Sequence, residues 1–186
     1  YPTTDKREFH FGNLDHVMEA LHRPGHFNGV AMIISRFFEI LKPDYAYFGQ
    51  KDFQQLAVIK ELVRQKGANV KIVGNPIVRE ADGLAMSSRN RLLIPGIRKN
   101  AGIIYKTIKT ASTMFPGHEI SEIKTFVKDT IERTEGYKVE YFEIADDREL
   151  IPLKRSEEII KGKKYYACIA VKAGNIRLID NIEFPL

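Results

Sequence analysis

The sequence has few of the features that mark secreted or membrane-bound proteins. It contains one cysteine, Cys168, in an apolar run typical of a protein core, so no disulfide can form within one chain. This cysteine usage favours a reducing compartment. No stretch approaches the ~18–20 consecutive apolar residues of a membrane-spanning helix, and no secretory signal opens the chain. These absences predict a cytoplasmic protein with no membrane partner.

Charge of one sign is not concentrated anywhere along the chain. The 29 Lys and Arg residues exceed the 24 Asp and Glu residues to give a net charge of +5, but the two signs are interleaved. The sequence has no block of five or more like charges, no zinc-knuckle pattern and no aromatic stretch typical of RNA-binding modules. We therefore expect no nucleic-acid partner, and a non-catalytic nucleic-acid-binding module remains only an alternative.

The first half of the chain has the pattern of a parallel α/β sheet. Apolar residues recur at helical spacing over residues 30–41 and predict a helix packed on one face, which Asn28 caps and Pro43 ends. Short apolar runs at 45–48 and 70–73 predict buried strands on either side of a second helix. Strands and helices in alternation with short connections are typical of βαβ units.

Shorter elements are expected around this core. An extended piece is predicted at 8–11 and a short helix over 14–22, while the second long helix opens at Asp52 and closes at Gly67. Two core strands are too few for a doubly wound sheet, so we expect its other strands upstream of Tyr1. The chain also begins YPTT, with neither Met nor a capping signal, which is typical of the middle of a protein.

The second half of the chain changes from alternation to helices followed by strands. This change predicts a separate, small α+β domain over residues 78–186, with the remainder of the parallel sheet in residues 1–77 and the boundary near 78–95. A turn at 81–83 and a polar loop at 86–90 come first. The predicted elements that follow are helices near 96–115 and 119–135, strands at 138–145, 165–171 and 177–182, and a hairpin turn at 172–175.

Residues 48–55, FGQKDFQQ, are the first candidate for chemistry, because a predicted strand ends there and a helix begins. Ligands of open α/β sheets bind outside the carboxyl ends of the strands. Gly49 permits close approach of a ligand, the helix N-terminus attracts phosphate, and Lys51 adds a cation for phosphoryl oxygens. The alternative is structural, since Asp52 and Gln55 have the spacing of a capping box and a single lysine is more often solvated.

Residues 84–90, LAMSSRN, are the second candidate. Two hydroxyls followed by a guanidinium, in a loop after a turn, can form charge-assisted hydrogen bonds to a polyphosphate. The segment is similar to the lysine-containing loop of class I aminoacyl-tRNA synthetases, with arginine as the cation. Alone, these residues also fit an ordinary polar turn.

Residues 22–29, HRPGHFNG, place two histidines four positions apart. Pro24 and Gly25 lie between them, so His22 and His26 do not share a helical face. No cysteine or acidic partner completes a zinc set, and we expect a packed or anion-facing loop without a metal.

The order and spacing of these segments are more specific than any one of them. RPGHFNGV begins at Arg23, YFGQKDFQQL at Tyr47, READGLAMSSRN at Arg79 and GNIRLIDNI at Gly174. Together they resemble the pantothenate synthetase (pantoate–β-alanine ligase) family over essentially the whole chain. The resemblance implies a partial Rossmann-like sheet of the nucleotidyl-transferase type, followed by an α+β carboxyl-terminal lid.

The resemblance also implies a reaction and its substrates. The family condenses pantoate with β-alanine in two steps that use ATP with Mg²⁺. The pantoate carboxylate attacks the α-phosphorus to give pantoyl adenylate and pyrophosphate, and the β-alanine amine then attacks the acyl carbon and releases AMP. A lid is useful here because an acyl adenylate hydrolyses readily in water. The family is commonly a homodimer, so we expect a homodimer.

Site residues are carried over motif by motif. Lys51 and Arg89 are the expected catalytic residues, Gln55 is expected to bind pantoate, and Arg23 and His26 are supporting residues. The expected ATP-binding residues are Gly49, Gln50, Lys51, Asp52, Val78, Met86, Ser87, Ser88 and Arg89, with Val78 offering its backbone to the adenine.

One departure from the family pattern concerns catalysis. The family's catalytic histidine lies in a His-x-Gly-His motif, and this sequence has Gly-His only at Gly25-His26 and Gly117-His118. We therefore expect the 186-residue chain alone to be inactive or nearly so. A piece of another nucleotidyl transferase or of a class I tRNA synthetase is the alternative enzyme, which the Arg-Pro-Gly-His-Phe and Gly-Gln-Lys-Asp motifs disfavour.

Overall fold

The computed structural model describes residues 6–185, which fall into two compact units. The first unit comprises Tyr1–Pro76 with Arg148–Leu150, and the second comprises Ile77–Asp147 with Ile151–Leu186. The residues YPTT, which suggested the middle of a protein, lie outside the described residues. Within residues 6–185, no helix is both long and apolar enough to cross a bilayer.

The first unit is an α/β arrangement around a parallel pair of strands. Its strands pair in register from Tyr45 opposite Lys71 to Gly49 opposite Asn75, so both carboxyl ends lie at one edge. The left-handed Gly67 closes the helix between them, as predicted. The elements are a 3₁₀ turn at Gly12–Asp15, α1 (Glu19–His22), α2 (His26–Leu41), β1 (Tyr45–Gly49), α3 (Phe53–Lys66) and β2 (Lys71–Asn75).

Residues 8–11, predicted as an extended piece, lie in neither a helix nor a strand. Three expectations for this unit are wrong. Neither β1 nor β2 is buried, since Tyr45 and Tyr47 of β1 are 53% and 64% exposed and no residue of β2 is buried. Asn28 lies inside α2 rather than capping it, because the helix begins at His26 with Gly25 at the N-cap position. The Asn28 side chain instead accepts a hydrogen bond from the Phe9 N–H at 2.9 Å. The predicted apolar stripe of α2 is only partly packed: Ile34 and Phe38 are half-buried, whereas Phe37 is 52% and Leu41 68% exposed, and the fully buried face of the helix carries Phe27 and Ala31 instead.

The second unit packs two long helices against an antiparallel sheet. The strands follow one another in the order β3-β4-β5, and the two-residue loop Gly174-Asn175 joins the last two, as predicted. The helix expected over 96–115 is two helices, separated at Ala101 and Gly102. The turn at Asp82 packs on Gly102 so closely that a Cβ there would lie 2.6 Å from the Asp82 carbonyl oxygen. The elements are α4 (Pro95–Asn100), α5 (Ile103–Met114), α6 (Ile120–Glu132), β3 (Tyr137–Asp146), β4 (Tyr165–Ala173) and β5 (Ile176–Phe184).

The core of the second unit lies between these helices and the sheet. Ile108 of α5, Ile123 of α6 and Ile169 of β4 are fully buried in one cluster, and Cys168 is also buried, as expected. Close packing makes such positions sensitive to the loss of even a few methyl groups. The core therefore holds α5, α6 and the sheet together as one body.

The substitution Ile123→Ala tests this core. It leaves a cavity among fully buried neighbours, so we expect the free energy of unfolding of the second unit to fall by about 2–5 kcal/mol in urea denaturation. The control Ile160→Ala removes a side chain that is 54% exposed, and its effect should stay within about 0.5 kcal/mol. Equal losses for the two variants would contradict the described packing.

Candidate functional site

The junction of β1 and α3 brings most of the first candidate segment together. Gln50 continues the strand pairing beyond Gly49, because its N–H donates to the Asn75 carbonyl at 2.8 Å. Lys51 and Asp52 then turn the chain into α3. The segment thus lies at the carboxyl edge of a parallel sheet, where open α/β folds bind ligands.

Gly49 has no structural requirement to be glycine within the described chain. A Cβ built on this residue would meet no atom within 4 Å, and its φ lies outside the left-handed range. Glycine elsewhere in the chain does have such a requirement, since a Cβ on Gly83 would lie 2.5 Å from the Tyr105 ring. The open space beside the Gly49 backbone is therefore available to a bound molecule.

The capping-box alternative for Asp52 and Gln55 is wrong. Asp52 occupies the N-cap position of α3, but its side chain makes no capping hydrogen bond. Its carboxylate lies 3.9 Å from the Lys51 ammonium, and the two side chains are 49% and 19% exposed. The N-terminus of this 14-residue helix therefore lies beside the Lys51 ammonium and has no side-chain cap. Such a position is favourable for a bound anion.

Arg23 and His26 lie on either side of the turn between α1 and α2. Arg23 lines a cavity of about 320 Å³ together with Asp15 and His16, and its guanidinium lies 4.0 Å from the Glu19 carboxylate. His26 does not line this cavity; its ring packs against Phe27 with the ring centres 5.1 Å apart. Arg23 therefore lies at the cavity, whereas His26 packs against an aromatic ring and is not part of the cavity lining.

Gln54 is a buried residue of this region that motif reasoning passed over. Its side-chain amide donates to the carbonyls of Leu14 and Val17 and accepts from the Glu19 N–H. No local pattern marks this residue, because its partners lie 35 to 40 residues away along the chain.

In the second unit, residues 78–86 form a small hairpin. The Met86 N–H donates to the Val78 carbonyl at 2.9 Å, and the Glu80 N–H donates to the Leu84 carbonyl at 2.8 Å. Val78 is 66% exposed, and none of the described residues accepts a hydrogen bond from its N–H. The Val78 N–H is therefore a donor that the described hairpin does not use.

Ser87, Ser88 and Arg89 follow the hairpin and begin a short 3₁₀ segment. The Ser87 hydroxyl accepts a hydrogen bond from the Arg89 N–H at 3.2 Å, which caps Ser88–Leu92. The Arg89 side chain is exposed, and no residue in the described part of the chain pairs with its guanidinium. The loop thus holds its backbone in place and leaves a cation exposed to solvent.

An open cavity of about 710 Å³ lies beside this loop. Its cations are Arg91 and Arg98, which motif reasoning did not identify, whereas Arg89 is not part of its lining. Asn90 is 5% exposed and donates to Glu80 at 2.8 Å and to the Ala85 carbonyl at 3.1 Å. The lining residues are Glu80, Met86, Ser87, Ser88, Asn90, Arg91 and Arg98.

Arg98 connects the cavity to the turn of the hairpin. Its guanidinium donates to Asp82 and, at 3.2 Å, to Glu80. Burial raises the pKa of the Asp82 carboxyl, but hydrogen bonds from Arg98 and from the Leu84 N–H outweigh burial and hold that pKa below its ordinary value. The hydrogen bond to Asp82 likewise raises the pKa of Arg98. This network fixes the hairpin and the loop relative to each other.

The described residues contain no group of three or more His, Cys, Asp and Glu side chains close enough together to hold a metal ion.

We expect Arg98→Met to raise the pKa of Asp82, because burial then acts without the guanidinium. Because the pKa of Asp82 is lower in the folded state, its carboxylate stabilises the fold at pH values above its pKa in the unfolded chain, about 3.9. This stabilisation is lost as the pH falls through the pKa of the folded state. The variant should therefore lose less stability in acid than the parent. Carboxyl-carbon NMR titration of Asp82 measures the shift. Arg91→Met is the matched control, and an unchanged Asp82 pKa in Arg98→Met would contradict the network.

The Pantoate-beta-alanine ligase family model matches residues 1–183 of the chain. The pantothenate synthetase of Bacteroides thetaiotaomicron is 48% identical over 184 residues, which is 99% of this chain and 64% of that protein. The pantothenate synthetase of Flavobacterium psychrophilum is 46% identical over 180 residues, covering 97% of this chain and 63% of that protein. The chain thus spans about 64% of the length of the curated relatives it matches.

Solved structures give the same result at the level of the fold. A crystal structure of pantothenate synthetase from Thermus thermophilus matches with a TM-score of 0.87 and 35% identity, over 98% of this chain and 64% of that one. Pantoate-beta-alanine ligase from Francisella tularensis, complexed with beta-gamma ATP and beta-alanine, matches with a TM-score of 0.69 and 27% identity, over 95% of this chain and 57% of that one.

Proposed function

The chain belongs to the pantoate–beta-alanine ligase family, and we propose that its residues serve the ATP-dependent condensation of pantoate with β-alanine to pantothenate. The observation that carries this proposal is the position of residues 49–52. They occupy the carboxyl edge of a parallel sheet and the start of an uncapped helix, in a sequence that matches the family over residues 1–183. Phosphate-binding sites in α/β folds use this position.

The proposed reaction has two displacement steps. In the first, a carboxylate oxygen of pantoate forms a bond to the α-phosphorus of ATP, and the bond to the bridging oxygen breaks so that pyrophosphate leaves. In the second, the β-alanine amine attacks the acyl carbon, AMP leaves with the carboxylate oxygen, and the amine loses a proton. Both steps need positioning and charge stabilisation more than a protein nucleophile.

In this proposal the first unit binds phosphate and pantoate. The Lys51 ammonium and the N-terminus of α3 stabilise negative charge on the phosphate oxygens, and Gly49 lets the nucleotide approach the backbone. Gln50 and Asp52 complete the ATP-binding segment. The Gln55 amide binds pantoate, with Arg23 and His26 as supporting residues.

The second unit supplies the adenine contact and the phosphate loop. The N–H of Val78 is suited to a ring nitrogen of adenine, since none of the described residues uses it. Met86, Ser87 and Ser88 line one cavity, and Arg89 extends a guanidinium that can form charge-assisted hydrogen bonds to a polyphosphate. We propose that this unit acts as a lid that excludes water from the acyl adenylate.

Mg²⁺ is proposed to arrive with ATP and to be held mainly by the phosphates of the nucleotide. When bound, it would neutralise charge on the phosphate oxygens. Asp52, with its half-exposed carboxylate beside Lys51, is the residue of this segment that carries a carboxylate for such a cation. A homodimer and a cytoplasmic location remain predictions, and light scattering of the purified protein tests the first.

AMP release from Mg-ATP tests the function, with pantoate and β-alanine added singly and together. We expect sustained AMP release from the product of the complete reading frame, and only when both substrates are present. We also propose that the 186-residue chain alone releases none, because its sequence has no His-x-Gly-His motif. ADP in place of AMP would contradict the proposed reaction. AMP from the chain alone would indicate a catalytic group within it and direct attention to His22 and His26.

Lys51→Ala and Arg89→Ala test the assignment of the phosphate-binding residues. In the product of the complete reading frame, each should lower kcat by about 10²–10³-fold, because charge stabilisation in the transition state is lost. The matched controls are Lys60→Ala on the exposed side of α3 and Arg155→Ala, whose side chain is 77% exposed. Near-normal turnover of both site variants, with unchanged circular dichroism, would remove the assignment.

A further inference from the structure

Gln54 has an unusual set of contacts for a glutamine in the first turn of a helix. It is 4% exposed, and its amide nitrogen donates to the Leu14 carbonyl at 2.8 Å and to the Val17 carbonyl at 3.0 Å. Its amide oxygen accepts from the Glu19 N–H at 2.9 Å. Rotating the amide by half a turn would aim its oxygen at two carbonyls, so the hydrogen bonds determine one orientation.

The segment that Gln54 holds is strained and irregular. It contains the end of a 3₁₀ turn, then Met18 with φ 41°, a left-handed conformation that is uncommon outside glycine. A backbone of this kind persists where its surroundings determine it. The hydrogen bonds of Gln54 lie on both sides of Met18, at Val17 and Glu19, and so hold the strained residue between them.

The same segment leads directly to Arg23. Glu19 begins α1, and its buried carboxylate lies 4.0 Å from the Arg23 guanidinium one helical turn later. Arg23 in turn lines the 320 Å³ cavity. The position of the Arg23 guanidinium therefore depends on where Gln54 holds the Glu19 backbone.

We propose that Gln54 is a positioning residue for the ligation reaction, an inference that rests on the proposed function. It joins the helix that carries Gln55 and follows Lys51 to the segment that carries Arg23. Both N–H groups of its amide donate to backbone carbonyls and its oxygen accepts from a backbone N–H, so its proposed role is to position the chain rather than to bind a substrate. It acts by fixing Arg23, whose guanidinium is suited to an oxyanion, either a carboxylate or a phosphate.

Gln54→Met, in the product of the complete reading frame, tests this role. The substitution keeps the length of the side chain and removes all three hydrogen bonds. We expect kcat/KM to fall by about 10–100-fold, the size of effect that a misplaced site residue produces. A rise in KM for pantoate would indicate that Arg23 serves a carboxylate, and a rise in KM for ATP would indicate a phosphate.

Coupling to Arg23 separates positioning from a general loss of stability. If Gln54 acts through Arg23, the double variant with Arg23→Met should lose no more than about threefold beyond Arg23→Met alone, since coupled sites are non-additive. Gln65→Met is the matched control, because Gln65 is an exposed glutamine of the same helix that donates to the His10 carbonyl at 2.9 Å. It should retain normal kcat/KM.

Two further measurements keep the proposal testable. Gln54→Asn keeps an uncharged amide but shortens the side chain by one methylene, which takes the amide out of reach of its partners, so it serves if the methionine variant does not fold. The NMR signal of the Arg23 Nε–Hε group, recorded without substrate, should shift in either Gln54 variant and not in Gln65→Met. Folded Gln54 variants with normal kcat/KM, an unshifted Arg23 signal or losses that multiply with those of Arg23→Met would overturn the proposal. Absence of AMP release from the parent would contradict the proposed function instead.

Discussion

The hydrogen bond from the Gln50 N–H to the Asn75 carbonyl, at 2.8 Å, is the interaction on which the first unit's site depends. It continues the parallel pairing of β1 and β2 beyond Gly49 and so fixes the point at which the chain leaves the sheet. Lys51 and Asp52 follow within two residues, and α3 begins at Phe53. A cation, a carboxylate and a helix N-terminus are thereby brought to one edge of the sheet, where the helix dipole favours an anion.

The hairpin of the second unit depends on a comparable anchor. Arg79 donates two hydrogen bonds to Asp180 of β5, at 2.7 and 2.9 Å, and its guanidinium lies 3.7 Å from the centre of the Tyr105 ring. The Asp180 carboxylate is almost fully buried. A bidentate, stacked arginine holds its geometry more tightly than a lysine would. The loop at Ser87 therefore extends from a rigid base on the sheet rather than from a free turn.

The parts of the fold that could be predicted from the sequence have local causes. Short apolar runs predict the strands at 45–48 and 70–73. Glycine chemistry within a few residues predicts the end of α3 at Gly67 and the hairpin turn at Gly174. The site segments could be named because their motifs are contiguous.

What could not be predicted depends on contacts that are distant in sequence. Asn28 accepts a hydrogen bond from Phe9, 19 residues earlier, instead of capping its helix. The glycine between α4 and α5, Gly102, packs against the turn at Asp82, a contact that no local pattern marks. Arg98 lines the cavity and forms an ion pair with Asp82, which lies 16 residues away in sequence. No helical or strand periodicity marks that pairing.

Transfer of oxygen from pantoate is the most direct test of a route through an acyl adenylate. Pantoate labelled with ¹⁸O in its carboxylate is converted to completion with unlabelled Mg-ATP and β-alanine, and the products are analysed by mass spectrometry. Attack on the α-phosphorus predicts one ¹⁸O atom in each AMP and none in pyrophosphate. Label in inorganic phosphate, or AMP without label, would contradict the adenylate route and with it the role proposed for residues 49–52.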